Sequence, residues 1–273
     1  MNTTSLTIRQ ANKYGDGYLE QSLYNKLKKD LGLSDAVNEY IEVLVRKFAF
    51  ESLSETEFQK IAAIYNIKVN DISVDDAISK IRRYYIVSVY QIQENFFISL
   101  NDYLNRYAKG YREKKDGESM LKYLCYRLLD MQKVNDEPYL YYLICDYYRL
   151  VRNYVVHIED TRKIENAYAV VKERSVDISN KFPKLTAPNN IGEIAFDDFV
   201  LYSRSLKKLA KKLLDEVQYD LDKVAKSIDS RKYSKQANSP NSIRNSIKFE
   251  LQISFRLNSV ETNYVVEKIM KEI

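Results

Sequence analysis

No proline occurs before Pro138, and the whole chain of 273 residues holds only 4 prolines and 6 glycines. Average usage of roughly 7% Gly and 5% Pro would give about 19 and 14. A chain so poor in turn formers cannot supply the many tight reversals of an all-β fold, so it predicts a mainly α protein built on long helices. Hydrophobic periodicity agrees. Residues 18–31 and 35–50 read as two amphipathic helices separated by Gly32, Leu33 and Ser34, with Ser34 as an N-cap. Ser54 and Glu57 form a capping box that opens a third helix. Ser73 opens the longest pattern, which runs without Gly or Pro to about Lys109. Further helices read from Glu118 to Gln132, from an Asp136 cap with Pro138 in the first turn to about Ile158, and from Phe196 to Lys226. The pairs Asp75–Asp76 and Asp197–Asp198 fall at helix N-termini, where the dipole favours acids.

The C-terminal end reads differently. Residues 227–246, rich in Ser, Asn, Lys and Arg, read as a mobile linker. Ile247, Phe249, Leu251, Ile253, Phe255 and Leu257 then alternate with polar residues, which predicts a β-strand over 247–257, followed by a short helix from Val260 to Met270. Such a strand needs a partner, either Ser5 to Arg9 or the same strand of a second chain. The expected organisation is therefore an N-terminal helical region over 1–74, a helical bundle over 75–226, and the linker, strand and helix over 227–273.

Composition narrows the chemistry. With one histidine, His157, and two cysteines, a single chain cannot assemble a four-cysteine zinc site, a two-cysteine two-histidine site or an HExxH helix. Gly15 and Gly17 form GxG, but Glu20 stands where the dinucleotide fingerprint needs glycine, and no GxxxxGK[ST] occurs. No run reaches the ~18 apolar residues of a membrane span, and the polar start lacks a signal-peptide core. Cys125 and Cys145 lie in helical patterns and read as reduced core thiols, which places the expected location in the cytoplasm. The net charge of +5 is mild, yet residues 200–273 carry 15 Lys/Arg against 9 Asp/Glu. The stripe Lys207, Lys208, Lys211, Lys212, opposite Leu206, Leu209 and Leu213, reads as a solvated face or as a guide for a polyanion. Arg231, Lys232 and Lys235 read the same way.

At ~100° per residue, the helix around His157 divides into two faces. Leu140, Leu143, Ile144, Tyr147, Leu150, Val151, Tyr154, Val155 and Ile158 form a broad core stripe. Tyr142, Cys145, Asp146, Arg149, Arg152, Asn153, Val156 and His157 form a second face, expected to turn away from the chain's own core and toward a partner. An imidazole can move protons, a guanidinium grips phosphate with a planar fork, and an amide can orient either. Arg152, Asn153 and His157 together suit metal-independent RNA cleavage by a ribose 2'-OH. One histidine per chain makes a poor acid and base at once, whereas two chains meeting across this face supply two.

The segment Arg152-Asn-Tyr-Val-Val-His157 resembles the Rx4-6H motif of HEPN domains. An upstream segment, Gln93-Glu94-Asn-Phe-Phe97, is similar to the acidic-aromatic stretch that many of these domains carry on an earlier helix. The resemblance covers roughly residues 75–225 and implies an antiparallel helical bundle that dimerises so that two motifs form one composite cleft. It implies a homodimeric endoribonuclease acting on RNA, of the toxin or antiphage-defence kind, with an antitoxin or activating partner. Arg152 and His157 would be the catalytic pair and Asn153 the supporting polar residue, with no metal and no cofactor. Glu159 stands where one subgroup carries the tyrosine of an HxY extension. The other class kept open is a HEPN-like adaptor or RNA-binding scaffold without catalysis.

Overall fold

A computed structural model describes residues 19–50, 54–70, 72–110, 113–157, 161–234 and 239–273. The described residues are mainly α: α1 (Leu19–Phe50), α2 (Glu55–Ile64), α3 (Val74–Tyr107), α4 (Met120–Leu128), α5 (Glu137–His157), α6 (Arg162–Glu173), α7 (Ser175–Lys181), α8 (Phe196–Asp215), α9 (Leu221–Ser227), α10 (Arg231–Ser234), α11 (Pro240–Ser254) and α12 (Ser259–Met270). A 3-10 turn spans Ile191–Glu193, and an isolated antiparallel bridge joins Ala108 to Tyr219. The capping box is formed as its sequence demands: Ser54 Oγ accepts from Glu57 N while the Glu57 carboxylate accepts from Ser54 N. The segments Ser5 to Arg9 and Gly15 to Gly17 lie outside the described residues.

Three expectations need correction. The helices over 18–31 and 35–50 are one helix, α1, because Gly32 sits in it with open space around its missing Cβ and Ser34 is bonded laterally to Ser88 rather than capping. An interior glycine costs a helix only about 1 kcal/mol, which packing on either side overrides. The pattern from Phe196 to Lys226 breaks after Asp215, because Asp220 accepts from Asp222 N and Lys223 N and so starts α9. The strand over 247–257 is helix α11 up to Ser254. Ser239 caps it, accepting from Ser242 N, and Pro240 occupies its first turn. Ile243, Ile247, Glu250 and Leu251 are buried at helical spacing, while Phe249, which alternation would have turned inward, is 63% exposed. The apolar residues satisfied both periods, and the cap decided between them. The stretch 227–246 accordingly contains α10 and the first turns of α11, and residues 235–238 lie outside the described residues.

Contacts divide the chain into two compact units, each assembled from separated segments. One comprises residues 1–27, 95–129 and 210–273. Within it α9 and α11 both pack on α12. Tyr107, Tyr219 and Phe255 form an aromatic cluster, and the Tyr103 and Tyr219 hydroxyls meet at 2.7 Å. Arg127 is buried beside Tyr123, donating to Asn101 and Asn105. Cys125 is buried here as a free thiol.

The other unit comprises residues 28–94 and 130–209. Its core is unusually rich in tyrosine: Tyr148 stacks on Tyr202 at 5.0 Å and lies 4.9 Å from Tyr147, and all three are fully buried. A buried phenol must find an acceptor, or it costs about 1–3 kcal/mol. Tyr148 donates to Asp198, and Tyr202 donates to Gln93. Asp198 also accepts from Asn189 N, Asn189 Nδ2 and Ala195 N, all at 2.8 Å, so four donors hold one carboxylate and tie the 186–195 loop to α8. Burial still pushes that carboxyl above its ordinary range against these bonds. The acidic pair at the start of α8 is therefore structural.

Candidate functional site

Helix α5 begins after Asp136, whose carbonyl accepts from Leu140 N, with Pro138 in the first turn. The expected division into a core face and a partner face fails along its first four turns. Leu140, Tyr141, Tyr142, Ile144, Cys145, Tyr147, Tyr148 and Val151 are all buried, whereas Leu143 and Leu150 of the expected core stripe are only half-buried, so the buried side is turned from the expected stripe toward Tyr148 and Cys145. The side read as outward, that of Cys145, Arg149 and Arg152, is covered by Tyr202 of α8 and Tyr90 of α3. Leu143, Asp146 and Leu150 are half-exposed, and the last turn opens further, where Val156 and His157 are exposed.

There the three predicted residues come together. Arg152 Nη1 lies 3.2 Å from Asn153 Oδ1 and 3.4 Å from His157 Nε2. A guanidinium only donates, so the contact is a hydrogen bond in the tautomer that leaves Nε2 free to accept. The guanidinium carbon of Arg152 stands 4.6 Å from the centre of the Tyr90 ring. Such a cation–π contact contributes about 0.5–2 kcal/mol and fixes the plane of the fork. Arg152 Nε is buried without a hydrogen-bond partner, whereas Nη1 makes both the Asn153 and the His157 contact.

Around this trio lies a layer the sequence pattern did not single out as a set. Tyr90 is hydrogen-bonded to Glu94 one turn on; burial and the Glu94 charge raise its phenol above the ordinary value while Arg152 and Arg149 oppose them. Arg149 donates to Asp146 at 2.7 Å, and despite burial the Asp146 charge raises its guanidinium further above the ordinary value. Cations and anions therefore alternate from Asp146 through Arg149, Tyr90–Glu94 and Arg152 to His157. The i,i+4 spacing of Tyr90 and Glu94 was the available signal, since it puts both on one face of α3. Of the acidic-aromatic stretch, Gln93 is buried as the acceptor for Tyr202, and Phe96 and Phe97 are buried in the first unit. Ile158 and Glu159 lie outside the described residues.

The basic stripe on α8 divides in two. Lys207 pairs with Asp35 at 2.7 Å, and Lys208 sits over the rings of Tyr141 and Phe182, so both serve the fold. Lys211 and Lys212 are exposed, opposite fully buried Leu206, Leu209 and Leu213. Arg231 and Lys232 engage Asp229 and Glu250, and Lys235 lies outside the described residues. Among the described residues no three His, Cys, Asp or Glu side chains form a group able to hold a metal ion, and no helix is long and apolar enough to cross a membrane.

Comparison with protein-family models, with curated proteins and with solved structures returned no match.

Proposed function

We propose that the chain is a metal-independent endoribonuclease with a HEPN-like helical bundle, working in a composite site formed where α5 of two copies meet. The contact of Arg152 with His157 at 3.4 Å carries this reading, because it joins a proton acceptor to a phosphate-binding fork on one exposed helix end. When the phosphate draws the Arg152 fork off His157 Nε2, the freed nitrogen takes the proton of the ribose 2'-OH as that oxygen attacks the adjacent phosphorus. The bond from phosphorus to the 5'-oxygen breaks, and that oxygen takes a proton from His157 of the partner subunit. The products are a 2',3'-cyclic phosphate and a 5'-hydroxyl end. Arg152 donates to the non-bridging oxygens as their charge grows, and Asn153 holds the fork in place. With one histidine per chain, base and acid come from two copies. An enzyme of this kind acts as a toxin or antiphage effector in the cytoplasm, restrained by an antitoxin or released by an activating partner.

The test is RNA incubated with purified protein in a chelator. Cleavage to cyclic-phosphate ends persists, and His157→Ala and Arg152→Ala each slow it by about 10²–10⁴-fold. RNA left intact by the wild-type dimer, with binding to RNA or protein retained, replaces this reading with the non-catalytic adaptor or scaffold. Cleavage that stops in chelator overturns the metal-independent step.

A further inference from the structure

Helix α1 is inside out between Leu33 and Leu44. Its inward face is polar. Ser34 and Asn38 bond to Ser88, Asp35 accepts from Ser203 and Lys207, and Glu42, 3% exposed, pairs with Arg82. Its outward face is apolar: Leu33 is 71% exposed, Val37 52%, Tyr40 70%, Val43 66% and Leu44 41%. Ala36, also exposed, completes the stripe. At ~100° per residue these six side chains fall within about 120° of one another, directly opposite Asn38 and Glu42. An ordinary surface helix has the reverse polarity, and contiguous apolar patches of this kind mark interaction sites.

The pattern also identifies the occupant. Leu33, Val37, Tyr40 and Leu44 follow the 4-3-4 spacing of a helix–helix seam. A two-fold axis passing between Asn38 and Glu39 runs two such helices antiparallel. Leu33 then meets Leu44, Val37 meets Tyr40, and Asp30 meets Lys47, each pair occurring twice. The charges that end the stripe are thus complementary to themselves under the symmetry that isologous dimers use. We propose that the α1 face from Asp30 to Lys47 is a self-association surface that takes a second copy of this chain in antiparallel register. It involves none of the residues assigned to the RNA site. The seam is only about 17 Å long at 1.5 Å per residue, which puts it among the small interfaces that dissociate on dilution.

Sedimentation of the full chain through the micromolar range tests this. Wild type associates reversibly, and Tyr40→Asp weakens association about a hundredfold. Asp30→Lys and Lys47→Asp each weaken it, and the double exchange restores it, because the swapped pair regains opposite charges. Both native cysteines are buried, so a cysteine placed on the surface reports alone. Tyr40→Cys is bridged by a short bis-maleimide, whereas Val176→Cys, exposed on α7, is not. A chain monomeric at every concentration overturns the proposal, as does a dimer indifferent to Tyr40→Asp. Association that appears only after removal of residues 1–18 also overturns it, since the occupant would then be the chain's own N-terminal segment. A dimer bridged through Val156→Cys but not Tyr40→Cys overturns it while leaving the α5 reading intact.

Discussion

Helices α1 and α5 both carry apolar residues on faces that a simple amphipathic helix would leave polar, and their surroundings differ. Most of the circumference of α5 through Val151 is covered by the chain itself: its Tyr148 stacks on Tyr202 of α8, and the two hydroxyls are satisfied by Asp198 and Gln93. In α1 the covered side is the polar one, and the apolar side is bare. Apolar surface therefore has two meanings in one unit. On α5 it builds the unit's core, and on α1 most of it stays in solvent in the isolated chain. Where α5 finally opens, at Asn153 to His157, the exposed His157 and Val156 emerge together, with Arg152 and Asn153 beside them.

Truncation separates the two meanings most strongly. Tyr148→Ala removes a fully buried ring and leaves Asp198 short of a donor, so it lowers unfolding stability by about 3–5 kcal/mol. Tyr40→Ser, on a side chain of similar size, changes the stability of the dilute chain by no more than about 0.5 kcal/mol. Urea unfolding of both variants at low concentration measures the contrast. Equal losses would mean that the α1 face is covered by the chain after all.

That contrast also explains what the sequence disclosed. The helical class, the cap at Ser54, the start of α5 and the buried leucines of α8 were legible because each follows from local chemistry. So was the meeting of Arg152, Asn153 and His157, which share one helix turn or the next. What covers each face was not legible. A helical wheel ranks directions by hydrophobicity, so it turned Cys145 and Tyr142 outward although both are buried, and it had no means of putting Tyr90 against Arg152 across 62 residues of chain. The strand over 247–257 failed for a related reason, since Ile247, Leu251 and Phe255 fit periods of 2 and 4 alike, and the deciding cap at Ser239 lay upstream of the pattern.

The open end of α5 makes a finer contrast. Tyr90 touches no substrate in the proposed reaction; it is a positioning residue that fixes the Arg152 fork from below. Tyr90→Leu keeps bulk and loses the π face, and is expected to lower kcat about tenfold, roughly 1.4 kcal/mol, with KM little changed. Tyr90→Phe retains the ring and should restore most of that rate. A matching loss in both variants would assign the effect to the hydroxyl bonded to Glu94 instead.

A pH-dependent effect lies in the polar seam beneath α1. Burial, and next the Glu42 charge, push the Tyr85 phenol up to about 12. In the unfolded chain it returns to the ordinary tyrosine value near 10. Below that value both states hold the proton, and the contribution of the group is intact. Between about 10 and 12 the unfolded chain releases the proton while the folded one keeps it, so stability falls as pH rises through this window. Tyr85→Phe removes the proton from both states. Its stability relative to wild type should therefore improve on going from neutral pH to the alkaline window, whatever its starting value at pH 7. Because both proteins carry every other tyrosine, the difference in urea midpoint isolates this one. A difference that stays constant across the window would mean that Tyr85 titrates alike folded and unfolded, and that the inner face of α1 is wetter than its hydrogen bonds imply.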